Sequence, residues 1–321
     1  MVNNRIDETT KRREYKRIMK TLKLYVLISF MISVPFTGCN DSKINKEADM
    51  SLFDKKNLVA WCIIPFDAMN RTPEERIEML IELGINRLAY DWRKEHLPDF
   101  PGEIELLRSH NIELTAVWLW IDEHVVDGTP EEINYIFDVL AETNTRTSIW
   151  AGFSDNFYED KPDEVKLKTG VQIVERLREK AAETESSIAL YNHGGWFGEP
   201  ENQIRIIESI GSGDIGLVYN FHHGHHHIGH FPELLSAMLP YLWTVNINGM
   251  KSDGPKIVPL GQGDHEKEMI HSLMQSAFDG TIGILGHTEG EDIKEVLIRN
   301  IDGLQSILQE LDATEALKTY R

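Results

Sequence analysis

Residues 187–222 read SIALYNHGGWFGEPENQIRIIESIGSGDIGLVYNFH. Ser187–His193 is a short, mostly apolar run stopped by Gly194 and Gly195, which reads as a buried strand. Glu201–Ile210 reads as a helix, and Ile215–His222 as the next strand. Strand, helix and strand in this order make one unit of a parallel sheet.

The same unit repeats in both directions. Towards the N-terminus, strands are expected at Leu58–Phe66, Ile85–Trp92, Ile112–Trp120 and Thr147–Phe153. Thr72-Pro73-Glu74-Glu75 opens the first helix, with Thr72 as N-cap and Pro73 in the first helical position. Thr129-Pro130-Glu131-Glu132 repeats that pattern before the third helix. A helix ends over Ile104–His110, and a long one covers Asp163–Thr184. Towards the C-terminus, strands at Trp243–Ile247 and Thr281–Leu285 alternate with helices near Phe231–Leu239, Lys267–Phe278 and Asp292–Leu311. Eight strand–helix units over roughly 255 residues predict a single (β/α)8 TIM barrel across 58–312, with 313–321 as a tail. A doubly wound open sheet is the rival. It lacks support because no glycine-rich dinucleotide fingerprint follows the first strand.

The chain has 321 residues and a formal net charge of -19. That excess of carboxylates argues against nucleic acid and against anionic lipid surfaces as partners. It leaves a neutral small molecule such as a carbohydrate open. Cys39 and Cys62 are the only cysteines, so no disulfide framework is expected.

Residues 23–38, KLYVLISFMISVPFTG, form an apolar run of signal-peptide length after Lys20 and Lys23. It is short for a membrane span and is broken by Pro35. Phe36-Thr37-Gly38-Cys39 resembles a bacterial lipoprotein signal, with Phe36 where leucine is usual. Residues 1–38 are therefore expected to be a signal peptide, with Met19 a plausible true start, and Cys39 the lipidated residue. An uncleaved anchor is the alternative. Removal of 1–38 leaves 25 Lys and Arg against 49 Asp and Glu, a net charge of about -24. Residues 39–57 are polar and read as a tether. The expected location is a membrane-anchored, periplasm-facing or cell-surface lipoprotein of a bacterium, touching the membrane through its lipid alone.

In a (β/α)8 barrel the site lies at the carboxyl ends of the strands. Those ends carry Asp91 and Arg93, Trp118 and Trp120, Trp150, Tyr191, His193 and Trp196, Asn220, His222 and His223, Asn246 and Asn248, Lys251, His287 and Glu289. Two readings stand beside each other for several of them. Trp118 and Trp120 have strand spacing, and serve either as core or as a platform for the CH face of a sugar. Asp91 and Arg93 are either site residues or a mutual ion pair. His193 is followed by two glycines that permit backbone conformations closed to other residues, which favours a site role. His222, His223, His225, His226 and His227, with His230 beyond, form a cluster of potential metal ligands. Consecutive histidines cannot all face one ion, so a solvated loop with one or two functional members is the plainer reading.

The ordered set resembles the sugar phosphate isomerase/epimerase family, whose barrel is xylose-isomerase-like. Ser187–Gly194 and Val218–His223 are similar to its fifth and sixth strands, Leu260–Asp264 to its loop after strand seven, and Phe278-Asp279-Gly280 to its entry to strand eight. The resemblance implies a divalent metal held by Glu, Asp, His and Glu on strands five to eight. The matching positions here are Tyr191, Asn220, Asn246 and a residue near Leu285–His287, and none is a carboxylate. The family's metal therefore does not carry over, although His223 keeps the histidine of the strand-six motif. Zinc or manganese could instead be held by a site rebuilt from His193, His222, His223 and Glu289.

The resemblance implies proton abstraction next to a carbonyl through an enediolate, with a sugar or keto-sugar as substrate. Without the metal, His193, His223 or His287 as imidazolium, Lys251, and the amides of Asn220 and Asn246 are left to stabilise the negative charge. Glu289, Asp91 or a neutral histidine is left to act as base. Arg93, Trp118, Trp120, Tyr191, Trp196, Asn220, Asn246, Asn248 and Lys251 are the expected substrate contacts. Isomerase or epimerase is the first class; a lyase or hydratase on a keto-glycoside uses the same chemistry. The rival of another class is a catalytically silent barrel that binds a sugar.

Overall fold

A computed structural model describes residues 52–321. The signal peptide, Cys39 and most of the tether lie outside the described residues. Eight parallel strands close into a barrel in sequence order: β1 Leu58–Trp61, β2 Arg87–Tyr90, β3 Glu113–Ile121, β4 Ser148–Phe153, β5 Ser187–Tyr191, β6 Ile215–Asn220, β7 Leu242–Ile247 and β8 Thr281–Leu285. Closure is made by β1 on β8, where Leu58, Val59, Ala60 and Trp61 pair with Ile282, Gly283, Ile284 and Leu285. The expected (β/α)8 class is therefore what the chain adopts.

Strand parity sorts the side chains, because successive residues point to opposite faces. One set packs outward against the helices, as Val117, Leu119 and Ile121 do on β3. The other set fills the barrel with Val59, Trp61, Ala89, Ala116, Trp150, Ala189, Tyr191, Val218 and Leu285. Large and small residues alternate across this interior. A Cβ on Gly152 would lie 1.9 Å from the Trp118 ring, so Trp118 occupies room that only glycine leaves.

The helix Pro73–Leu83 begins as expected. Thr72 Oγ1 accepts from the Glu75 N–H while the Glu75 carboxylate accepts from the Thr72 N–H, and Gly84 ends the helix in the left-handed conformation. The repeat of that motif does not cap. The helix Glu131–Glu142 follows Pro130, and Thr129 makes no side-chain cap bond.

Several strands are a residue or two shorter than expected, and three boundaries differ more. The first strand ends at Trp61 rather than Phe66, because Cys62 takes φ +56° and turns the chain. The end of the expected tether is core: Leu52 and Phe53 are 2% and 1% exposed. The expected tail, 313–321, holds a short helix Thr314–Lys318 with Ala313 and Ala316 fully buried. Tyr320 Oη donates to the Phe53 carbonyl at 2.7 Å, so the two ends of the described chain plug the bottom of the barrel together. Among the described residues no helix is long and apolar enough to cross a membrane.

One buried ion pair joins neighbouring helices. Arg76 Nε and Nη2 donate to the two Glu103 oxygens at 2.7 and 3.2 Å, with side chains 5% and 0% exposed. Glu103→Ala is expected to destabilise the barrel by ~3–5 kcal/mol by stranding a buried cation, whereas Arg76→Met with Glu103→Leu costs far less. Urea denaturation of the three proteins measures the difference.

Candidate active site

A cavity of about 880 Å³ opens at the carboxyl ends of the strands. Its wall holds Asp91, Arg93, Trp118, Trp120, Tyr191, His193, Asn220, His222, His223 and His287, all of them expected. It also holds Trp92 and Lys94, neighbours of Asp91 and Arg93 at the end of strand two, and Trp61, Cys62, Phe66, Asp122, His124 and Glu132, which were not expected. Trp61 escaped because the apolar run 58–66 hides where the strand stops.

The wall is aromatic on one side. Trp61 lies 5.8 Å from Trp118 and 4.9 Å from Trp150, and Trp118 meets Tyr191 edge-on at 4.7 Å. Trp118 is thus both core and cavity wall, while Trp120, 42% exposed, stands at the rim. Each indole presents a flat apolar face of the kind that covers the CH face of a sugar ring.

The β5 end is held by a dense set of bonds. Gly194 takes φ +98°, and a Cβ there would fall 2.1 Å from the Phe153 carbonyl oxygen. Asn192 accepts from the Asn220 N–H at 2.7 Å and donates to the Asn220 carbonyl at 3.0 Å, locking β5 to β6. Gln203 donates to the carbonyls of Tyr191 and Phe197. His193 Nδ1 lies 2.8 Å from the Phe153 carbonyl oxygen. A carbonyl can only accept, so Nδ1 carries a proton, and in the neutral tautomer this selects it is Nε2 that holds the lone pair.

Four imidazoles crowd this wall. His193 and His223 lie 4.4 Å apart, His222 and His223 4.4 Å, and His222 and His287 5.4 Å. Burial, followed by the neighbouring imidazoles, pulls His223 far below the usual histidine range. Burial takes His222 down to about 4 and also lowers His287. Burial thus favours the neutral form of His222, His223 and His287 over the imidazolium.

Asp91 follows β2 directly and lines the same cavity. It is 2% exposed, its Oδ2 has no hydrogen-bond partner, and its only contact of note is the Ile64 N–H at 3.4 Å. Burial pushes its pKa up to about 7, against the weaker pull of Arg93. Arg93 does not pair with it. The guanidinium instead donates to the Trp92 carbonyl and lies 5.5 Å over the Phe66 ring.

Tyr191 accepts from Trp61 Nε1 at 3.0 Å and from Asn220 Nδ2. Asn220 Oδ1 accepts from the His222 N–H, which fixes the orientation of the amide. Burial raises the Tyr191 pKa and keeps the phenol protonated.

Five expected residues lie off the cavity. Asn246 is fully buried below the mouth, and neither amide atom has a partner. Asn248 donates to the carbonyls of Gly249 and Lys256, inside a loop closed by the Gly249–Val258 bridge. That same loop carries Lys251 away. Trp196 packs on Phe197 and under Arg205. Glu289 is exposed and outside the wall, though its charge reaches His287.

These positions decide the metal question for the barrel mouth. The four strand-end positions carry a protonated phenol, two amides and a neutral imidazole, with no carboxylate. Among the described residues no three His, Cys, Asp or Glu ligand atoms converge there. The donor set does not fit the family's divalent ion. Of the alternative set His193, His222, His223 and Glu289, the three histidines line the cavity and Glu289 does not.

No family model matches the sequence, and no curated protein matches it significantly. Solved structures do. The 3-keto-D-glucoside 4-epimerase from E. coli aligns with a TM-score of 0.59 at 15% identity, over 80% of this chain and 99% of that one. The likeness is one of fold, a single (β/α)8 barrel. The IolI protein with a bound zinc atom aligns with a TM-score of 0.64 at 16% identity, over 79% and 98% of the two chains. A probable 3-DHS dehydratase from Bacillus anthracis aligns at 0.55 and 13%, over 73% and 93%.

Asp91 gives a pH signature of unusual sign. Its native pKa of about 7 lies above the ~3.9 of an unfolded chain. Between those values the native state keeps a proton that the unfolded state has lost, so this residue makes stability fall as pH rises, levelling off above 7. The buried histidines act oppositely, losing stability as pH drops below ~6.5. Asp91→Asn is expected to be more stable than the wild type at pH 8, with the gap closing towards pH 4. Denaturant midpoints across that range test it.

Proposed function

We propose that this protein is an enzyme that moves a proton on carbon next to the carbonyl of a sugar or keto-sugar, as an epimerase or isomerase. The observation that carries the reading is a pair of proton-handling groups, from the ends of two different strands, that line one aromatic cavity. His193 on the β5 side offers Nε2 as a base, oriented by the Phe153 carbonyl. Asp91 on the β2 side is held as an acid up to a pH of about 7. One group removes a proton from one face of the planar enediolate, and the other returns one to the opposite face, which is what inversion of a stereocentre requires. Arg93, the guanidinium on the cavity wall, supplies positive charge to the developing oxyanion. Trp118 and Trp120 stack on the ring, and the neutral imidazoles of His222, His223 and His287 exchange hydrogen bonds with hydroxyls. The names of similar structures support the substrate class. They include a 3-keto-D-glucoside 4-epimerase and a D-psicose 3-epimerase studied with D-fructose. A dehydratase among them keeps the lyase or hydratase alternative in view.

A second reading is favoured by one observation, the loss of every carboxylate at the family's metal positions. It is a sugar-binding barrel without turnover. Incubation with keto-glycosides and ketohexoses in deuterated water separates the two. Deuterium should enter the carbon beside the carbonyl, and His193→Gln should slow this by ~10²–10⁴-fold. Asp91→Asn should keep deuterium exchange in recovered substrate but slow epimer formation. Bound sugar with no deuterium in any recovered compound would establish the binder instead.

The anchored location is likewise our proposal, and it rests on residues 23–39. Expressed in a bacterium fed an alkyne fatty acid, the full chain should take label and lose it in Cys39→Ala. A label-free wild type rules the anchor out.

A further inference from the structure

The histidine cluster divides in two. His222 and His223 line the cavity, but His226 and His227 do not. They lie in the turn His225–His230 after β6, against Glu199, which precedes the helix Pro200–Ile210 after β5. His226 Nε2 is 3.0 Å from Glu199 Oε1, and His227 Nε2 is 3.2 Å from Glu199 Oε2. The three residues present ligand atoms all within 4.8 Å of one another. We propose that Glu199, His226 and His227 form a zinc site, separate from the catalytic cavity, that pins the β5 and β6 loops together.

Three features support it. First, two imidazoles and one carboxylate make a donor set suited to zinc, and the two imidazole-to-carboxylate separations are near the ~3.3 Å between ligands of one tetrahedral ion with bonds of ~2.0 Å. Second, His227 Nδ1 lies 3.1 Å from His230 Nε2, so the ring nitrogen facing away from Glu199 is already engaged. A ligating histidine is oriented by such an outer partner. Third, Tyr219, whose ring is 6.3 Å from His227, has a buried hydroxyl with no protein partner under the same turn. His226 is 58% exposed, so an ion has a route in and a water can complete its shell. The consequence lies in the loops. His193 precedes Glu199 on the β5 loop, and His223 precedes His226 on the β6 loop, so an ion here would fix the spacing of the two cavity imidazoles.

The full chain, stripped with chelator, is titrated with Zn2+ by calorimetry and with Co2+ by visible absorption. One equivalent of Zn2+ should bind, Co2+ should give the intense bands of four-coordination, and Zn2+ should raise Tm. Glu199→Gln and His226→Ala, at a half-buried and an exposed position, should weaken Zn2+ by at least a hundredfold while leaving the metal-free Tm near the wild type. His193→Ala with His223→Ala should bind Zn2+ as the wild type does. Absence of saturable binding, or affinity that survives in His226→Ala but falls in the cavity variant, overturns the proposal.

Discussion

Everything at the mouth of this molecule depends on the pairing of β1 with β8. Four consecutive register pairs, with the Gly286 N–H donating to the Trp61 carbonyl at 2.7 Å, join the first strand to the last. That seam turns a row of strands into a ring, so residues far apart in sequence are brought to one rim. Trp61 and His287 come from the two sides of the seam, and both look into the same cavity. An open sheet would leave Asp91 and His193 without a common space, and the remaining contacts of the site would have nothing to converge on.

The ring also sets the electrostatics. A chain with a formal charge of -19 encloses a cavity whose buried groups are kept uncharged. Tyr191 stays protonated, and the imidazoles of His222 and His223 stay neutral, because desolvation penalises their charged forms and their neighbours share that constraint. The same penalty holds a proton on Asp91. Arg93 escapes it by reaching the exposed rim, where Phe66 and the Trp92 carbonyl support it.

The architecture was legible because its signal is periodic. Short apolar runs alternating with helical ones indicate eight units, and ends such as Thr72 and Gly84 carry chemistry that names them. The strand ends were legible for the same reason: parity and the carboxyl-end rule place Trp118, Tyr191, His193 and Asn220 on one wall. What the residues do not reveal is where a loop turns after its strand. Trp196 and Lys251 follow strands and carry suitable groups, yet packing on Phe197 and the bridge at Gly249 take them elsewhere. Cys62 in a left-handed conformation stops β1 inside a continuous apolar run, which concealed Trp61. Leu52, Phe53 and Tyr320 look like parts of tether and tail because two apolar residues and one phenol make no periodic pattern. Their burial arises only when the two ends of the described chain meet beneath the barrel.

The indole of Trp61 packs against those of Trp118 and Trp150, and Trp61 and Trp118 border the space a ligand would enter. Such closely spaced chromophores exchange excitation energy, so their emission reports on the group as a whole. Any molecule that displaces water from the Trp118 face alters that shared emission. The barrel thus contains an intrinsic optical sensor for its own occupancy, one that needs neither a dye nor a prior guess at the reaction.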